Sequence, residues 1–249
     1  MSDAPVVLLA GAGPGDPELL TLDAYAALAA ASAILADRSL EPLLGALTAE
    51  RALGPTTAIG FTDDDLPAAE ALLELASSAA ATTGVVVRLY RGDPWGHPAG
   101  DDERAALQAA GVACQVLPGV LAELAAAGAV GIPLQVRDRS VATTFAVDTA
   151  AVPTVASPPH DPAHGLVVRT DDLARTAARL AAPTADGTVA ADRPVALVPA
   201  GPGAAALRTT LGALAAQPLL GGGPGLVVVG SVAELDLAAR PTPLEGASR

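Results

Sequence analysis

The sequence predicts an α/β protein of two domains, and three observations carry that expectation. Short apolar runs recur along the chain, each ending in a turn rich in Gly and Pro. Helical stretches separate those runs in the first half, the pattern of a mostly parallel, helix-covered sheet. In the second half helices are fewer and strands more numerous, which indicates a different, mixed α/β domain and a cleft between the two. The expected bounds are 1–118 for the first domain, 119–240 for the second, and a flexible tail over 241–249.

The organising stretch is VVLLAGAGPGDPELLTL, residues 6–22. Residues 6–9 read as a buried strand, and Gly11, Gly13, Pro14, Gly15, Asp16 and Pro17 form a turn. Residues 18–31 read as a helix with Leu19, Leu20, Leu22, Tyr25 and Leu28 on one apolar side. Ligands in α/β sheets sit outside the carboxyl ends of strands, where glycines let the backbone come close. A dinucleotide is disfavoured, because Asp16 stands where the third glycine of GxGxxG belongs. Pro14 and Pro17 also remove N–H donors that a pyrophosphate would need.

Residues 33–36 read as a second strand ending in Asp37-Arg38. This pair is either a solvated turn capping a helix over 40–47 or a catalytic, substrate-orienting pair at a strand end. Residues 57–61 form a weak strand. Asp63, Asp64 and Asp65 then precede a helix over 66–80, where acids suit the macrodipole. Residues 85–90, VVVRLY, are the clearest strand of the first half and deliver Arg91-Gly92-Asp93-Pro94-Trp95. The glycine turns at Gly13–Asp16 and Gly92–Asp93 predict a shared rim. Trp95 either covers an apolar edge or meets a ligand, and His97 is equally consistent with a surface position and a functional one. A helix over 101–110, a strand over 113–117, the Pro118-Gly119 turn and a helix over 120–130 follow.

In the second half, residues 143–147, 166–169, 195–198 and 226–229 read as strands and 171–180 as a helix. Residues 151–164 are a proline-rich loop; its prolines forbid the helix on which His160 and His164 could share a metal. A polar connector covers 183–193 and a third glycine turn 199–203. Residues 208–216 are of undecided type, 220–225 form a glycine loop, and the tail from 239 frays.

Composition narrows the function. A net charge of −13 over 249 residues disfavours nucleic acid and anionic membranes as partners. A single cysteine, Cys114, excludes an intrachain disulfide and suits a reducing compartment. No secretory signal and no membrane-spanning run is read, so a cytoplasmic location is expected. The basic residues, 14 in all, are arginine without exception.

Six collinear segments, among them GAGPGDPELLTL, LADRSL, VVRLYRGDPW, VLPGV and AVGIPLQVR, resemble the tetrapyrrole methylases, and especially uroporphyrinogen-III C-methyltransferases. The resemblance implies a two-domain homodimer with S-adenosylmethionine in the interdomain cleft. It implies C-methylation of uroporphyrinogen III to precorrin-2, on the way to sirohaem and cobalamin. Cofactor contacts are implied at Pro14, Gly92, Asp93, Gly96, Leu121, Ala122, Thr170, Ala196 and Gly201. Asp37 matches an active-site aspartate, and no metal is implied. Arg38, Arg91 and Arg137 are the substrate-binding candidates, with Arg88 and Arg139 as further basic residues. Departures from the family pattern are plain. Gly54-Pro55 stands where the family has an active-site Gly-Lys, and a Gly-Arg-Gly-Gly-Glu-Glu segment is reduced to PAGDD at 98–102. They leave two alternatives: a methylase of another precorrin-type tetrapyrrole, or a non-catalytic member that only binds cofactor. A mean hydropathy of +0.44 adds to the homodimer expectation.

Overall fold

The computed structural model describes residues 6–54, 57–80, 84–137, 139–140, 142–148, 161, 163–185, 187–201, 205–214 and 222–237. The chain divides into two compact units, Met1–Ala125 and Ala126–Arg249.

The first unit holds β1 (Val6–Gly11), α1 (Leu22–Ala30), β2 (Ala33–Asp37), α2 (Glu41–Ala49), β3 (Ala58–Thr62), α3 (Ala69–Ala80), β4 (Val85–Tyr90), α4 (Gly100–Ala109) and β5 (Cys114–Leu117). Its five strands pair in the order β3-β2-β4-β1-β5, all parallel. Right-handed crossovers place α1 and α2, which lead leftward in that order, on one face, and α3 and α4 on the other. The two cores agree. Ala24, Ala27, Leu28, Leu43, Leu44 and Leu47 pack on one face with Ile34, Val87 and Leu89. Leu72, Ala76 and Leu107 pack on the other with Val7, Leu9, Val86 and Tyr90. Burial of both faces is why these strands read as continuous apolar runs rather than alternating ones.

The second unit has the mixed sheet β6-β7-β10-β8-β9, built from β6 (Ala142–Asp148), β7 (His164–Thr170), β8 (Pro194–Pro199), β9 (Leu207–Thr210) and β10 (Gly225–Val229). β6 and β7 are parallel; β10 runs antiparallel to β7 and β8, and β9 antiparallel to β8. A helix over Leu173–Ala181, capped by the Asp172 carboxylate on Arg175 N, covers one face with Leu173, Ala177 and Leu180. Ala127, Ile132 and Leu134 cover the other.

Several local expectations change. The helix expected over 18–31 is a 3-10 turn, Pro17–Leu19, followed by α1. Thr21 Oγ1 accepts from Ala24 N at 3.2 Å and starts the true helix there. The buried face is consequently Ala24, Ala27 and Leu28, while Leu19, Leu22 and Tyr25 lie exposed in an i, i+3 row. α3 begins at Ala69, so the acidic triplet stands outside it. Residues 208–216 contribute to β9 and then to one helical turn, Leu211–Leu214; positions beyond 214 lie outside the described residues. So do Pro55, the loop over 151–160 with His160, and the tail from 238.

The carboxyl ends of β1, β4 and β5 come together with no room for a side chain. A Cβ on Gly11 would stand 2.5 Å from the Gly92 carbonyl oxygen and 2.6 Å from Gly119 Cα. Gly11→Ala should therefore destabilise the protein by roughly 3 kcal/mol, the upper part of the overpacking range. Gly45, inside α2, has nothing within 4 Å of such a Cβ. Gly45→Ala should raise stability by about 0.5–1 kcal/mol. Urea midpoints of the two variants moving in opposite directions check both.

Candidate functional site

In an open parallel sheet a ligand crevice opens where adjacent strands send their connections to opposite faces. β1 and β4 are such a pair. After β1, Ala12 N donates to Tyr90 O at 2.8 Å, and the two turns then face each other in an antiparallel bridge, Gly13 N to Gly92 O at 3.1 Å and Gly92 N to Gly13 O at 2.7 Å. Both residues take positive φ, +62° at Gly13 and +82° at Gly92, which glycine adopts without cost. The two glycine turns expected to share a rim are thus hydrogen-bonded to each other.

The two Gly-Asp-Pro sequences fold alike. Asp16 and Asp93 each cap a 3-10 turn opened by the following proline, accepting from Glu18 N and Trp95 N at 2.9 Å. The second oxygen of Asp93 accepts from Gly119 N at 2.8 Å and brings in the β5 turn. A Cβ on Gly96 would meet Leu121 Cδ2 at 2.7 Å, and one on Gly92 would meet Ala122 N at 3.4 Å. Gly92, Asp93, Gly96, Leu121 and Ala122 therefore gather on one rim, with Pro14 next to Gly13. Its amide protons are largely committed. Those of Gly13, Gly92, Gly96 and Gly119 have protein acceptors, and Pro14, Pro94 and Pro118 have none. Its glycines therefore offer no set of free amides to an anion.

Beneath the rim lies a buried charge cluster. Arg88 shares a sheet face with Val86 and Tyr90 and has no exposed surface. Its Nε lies 2.9 Å from Glu103 Oε2, its Nη1 donates to Leu89 O at 3.0 Å, and its Nη2 lies 2.8 Å from Asp37 Oδ1. Glu103 also accepts from Tyr90 Oη and from Ala68 N. Asp37 Oδ2 accepts from Arg91 N at 2.8 Å and lies 3.1 Å from His97 Nε2. The Arg88 approach to Asp37 is a close ionic contact and the His97 approach a close polar one, neither a well-aligned hydrogen bond. His97 Nδ1 accepts from Ala99 N, which assigns the ring proton to Nε2, facing Asp37. Burial pushes the Asp37 carboxyl up, but His97, the Arg88 charge and the Arg91 N–H together outweigh it and hold the group below its ordinary value. Burial raises the Tyr90 hydroxyl, reinforced by the Glu103 charge. Arg88 is held above its ordinary value, because Asp37 and Glu103 outweigh burial.

Asp37 is thus enclosed, and its side chain makes no helix cap. His97 is buried rather than on the surface, and Arg88 is tied up in ion pairs and withdrawn from any role toward substrate. The acidic triplet ties neighbouring strand ends together. Asp64 accepts from Ser39 N at 3.0 Å, Asp65 comes within 3.7 Å of His97, and Asp63 pairs with the exposed Arg38 at 3.7 Å. Trp95 is exposed, with the Arg104 guanidinium 5.7 Å from its ring. In the second unit, Thr170 Oγ1 is held by Asp172 and Thr176, and Ala196 is buried in mid-sheet. Gly201 lies exposed just after β8 with φ +122°. Arg137 and Arg139 are exposed in the turn closed by the Val136–Ser140 bridge. Among the described residues no cluster of His, Cys, Asp and Glu could hold a metal.

A profile of the tetrapyrrole (corrin/porphyrin) methylases matches residues 6–214. The chain belongs to that family. Siroheme synthase of Hahella chejuensis is 36% identical over 148 residues, 58% of this chain but 31% of the Hahella protein. The S-adenosyl-L-methionine-dependent uroporphyrinogen III methyltransferase of Arabidopsis thaliana is 38% identical over 55% of this chain and 37% of its own length. The chain thus spans roughly a third of these curated relatives. Uroporphyrin-III C-methyltransferase of Thermus thermophilus superposes with a TM-score of 0.71 at 29% identity, covering 93% of this chain and 94% of that one. The same Thermus enzyme, complexed with S-adenosylhomocysteine, gives 0.69 at 29% identity, with 92% and 98% covered.

The Asp37 environment has a pH signature. A carboxyl depressed in the folded state stabilises fully above its unfolded value near 3.8, and that contribution is lost as pH falls through the lower folded value. Urea unfolding between about pH 6 and pH 3 should show a shallower acid loss in Asp37→Asn than in the parent, together with lower stability at the upper end.

Proposed function

We propose that this methylase transfers methyl groups from S-adenosylmethionine to carbon atoms of uroporphyrinogen III, giving precorrin-2 for sirohaem and cobalamin. The observation that carries the reading is the rim where the Gly13 and Gly92 turns bond to each other. It lies at the strand-order switch, and its glycine amides are taken up by protein acceptors rather than left free for a phosphate. The Thermus uroporphyrin-III C-methyltransferase, alike over nearly its whole length, supports the substrate. The sulfonium supplies both the electrophilic methyl and a neutral leaving group. The chain's own task is to align donor and acceptor and to hold the substrate's carboxylates.

Pro14, Gly92, Asp93, Gly96, Leu121 and Ala122 form the part of the cofactor site built by the first unit. Asp93 works from below, both oxygens engaged in shaping the turn. Arg38 and Arg91 are the substrate-carboxylate partners there. The Arg38–Asp63 pair is long and exposed, so a substrate carboxylate displaces it at little cost. One observation favours the second reading, cofactor binding without turnover: burial of Arg88 removes a basic residue that an octacarboxylate would use.

Calorimetry with S-adenosylhomocysteine and radiolabelled methyl transfer to uroporphyrinogen III decide between them. Binding with transfer supports the proposal, binding without transfer to this or any other precorrin supports the second reading, and no binding at millimolar ligand refutes both. Gly92→Val places a branched side chain at a positive φ beside Ala122 N and should weaken binding by about tenfold or more, at least 1.4 kcal/mol. The exposed Leu19, Leu22 and Tyr25 row supports the expected homodimer. Light scattering at micromolar concentration should give twice the chain mass, and a monomer mass refutes it.

A further inference from the structure

Asp37 occupies the strand end where this fold would place a catalytic carboxylate, yet it offers no surface to a reactant. Oδ1 faces Arg88, and Oδ2 faces both His97 Nε2 and the Arg91 N–H. Taking a proton from a substrate would first require breaking contacts to two basic side chains. Its partners instead bracket one segment. Arg91 N is at the start of the β4 turn, and His97, whose Nδ1 holds Ala99 N, is at its end. Between them lie the Gly92 amide bonded to Gly13, the Asp93 carboxylate bonded to Gly119, and the Pro94–Gly96 3-10 turn.

We infer that Asp37 and His97 are positioning residues that grip both ends of the 91–97 segment and act on methyl transfer through the rim it forms, with no proton exchanged between Asp37 and substrate. Arg88 anchors the grip from below, and the Tyr90 ring, 5.0 Å from the His97 ring, packs beside it. Loss of either gripping residue loosens the rim first and leaves the chemistry of a saturated enzyme intact.

The inference rests on the rim binding S-adenosylmethionine, so its test has an arm independent of ligand. Hydrogen exchange in the free protein should show the Gly92, Gly96 and Gly119 amides of Asp37→Asn and His97→Phe exchanging at least about tenfold faster than in the parent, with α1 and α2 amides unchanged. S-adenosylhomocysteine affinity should fall by about tenfold, while kcat at saturating S-adenosylmethionine stays within about threefold. His97→Gln, whose amide nitrogen keeps an N–H donor toward Asp37, should restore exchange and affinity. Unchanged exchange at these amides overturns the inference, as does a kcat loss of about a hundredfold with exchange and affinity unchanged. Should Asp37→Asn fail to fold, the two His97 variants decide the matter alone. A parent that binds no S-adenosylhomocysteine refutes the cofactor reading only, and the exchange arm still decides the grip.

Discussion

The first unit depends on a close approach of backbone to backbone. Gly11, Gly92 and Gly119 stand at the carboxyl ends of three neighbouring parallel strands, and a Cβ on Gly11 or Gly119 would press into the backbone of the others. Parallel strands are not joined by tight hairpins, so nothing local forces their ends together. Here the turns supply that constraint. The Gly13–Gly92 pair forms an antiparallel bridge just past the parallel sheet, and Asp93 ties Gly119 to it. At Gly11 and Gly119 the same close approach leaves no room for a side chain.

Under the rim the chain buries charge in a small-residue core. Aromatics make up 2% of the sequence, so the packed faces are built from Ala, Val and Leu. The largest fully buried side chain, Arg88, is charged. Desolvating a guanidinium is costly, and the cluster offsets it with two carboxylates, a carbonyl and the Tyr90 ring 4.3 Å from the guanidinium carbon. The cluster joins β2, β4 and α4, and through Ala68 N the approach to α3, at one point that only this strand order satisfies.

What was legible in the sequence was what is local. Strands ending in Gly-Asp-Pro announced the rim, because proline and glycine fix torsions within a few residues. Six collinear motifs announced the family across both halves. The cluster was not legible, because Arg88 and Glu103 meet through a fold and not through a spacing, and Glu103 follows Asp101 and Asp102 in sequence with nothing to set it apart. His97, with no partner nearby in sequence, gave no sign of burial. The acidic triplet misled for a related reason: a helix dipole explains acids before a helix, yet Asp64 and Asp65 bond sideways to neighbouring strand ends. Leu19, Leu22 and Tyr25 misled through hydrophobicity alone, since Thr21 starts α1 later and turns that row outward.

The strand order carries a consequence for how the chain is made. β1 has two neighbours, β4 and β5, and both are synthesised after residue 84. β2 and β3 can pair as they emerge from the ribosome, but β1 has no native partner until two-thirds of its unit exists. When β4 arrives it inserts between β2 and β1 and carries Arg88 to Asp37, so β1 joins the sheet and Asp37 gains its guanidinium partner in one event, before Glu103 and β5 are made. Nascent chains shorter than this hold an apolar strand without its native neighbours, and exposed apolar strands are prone to aggregate.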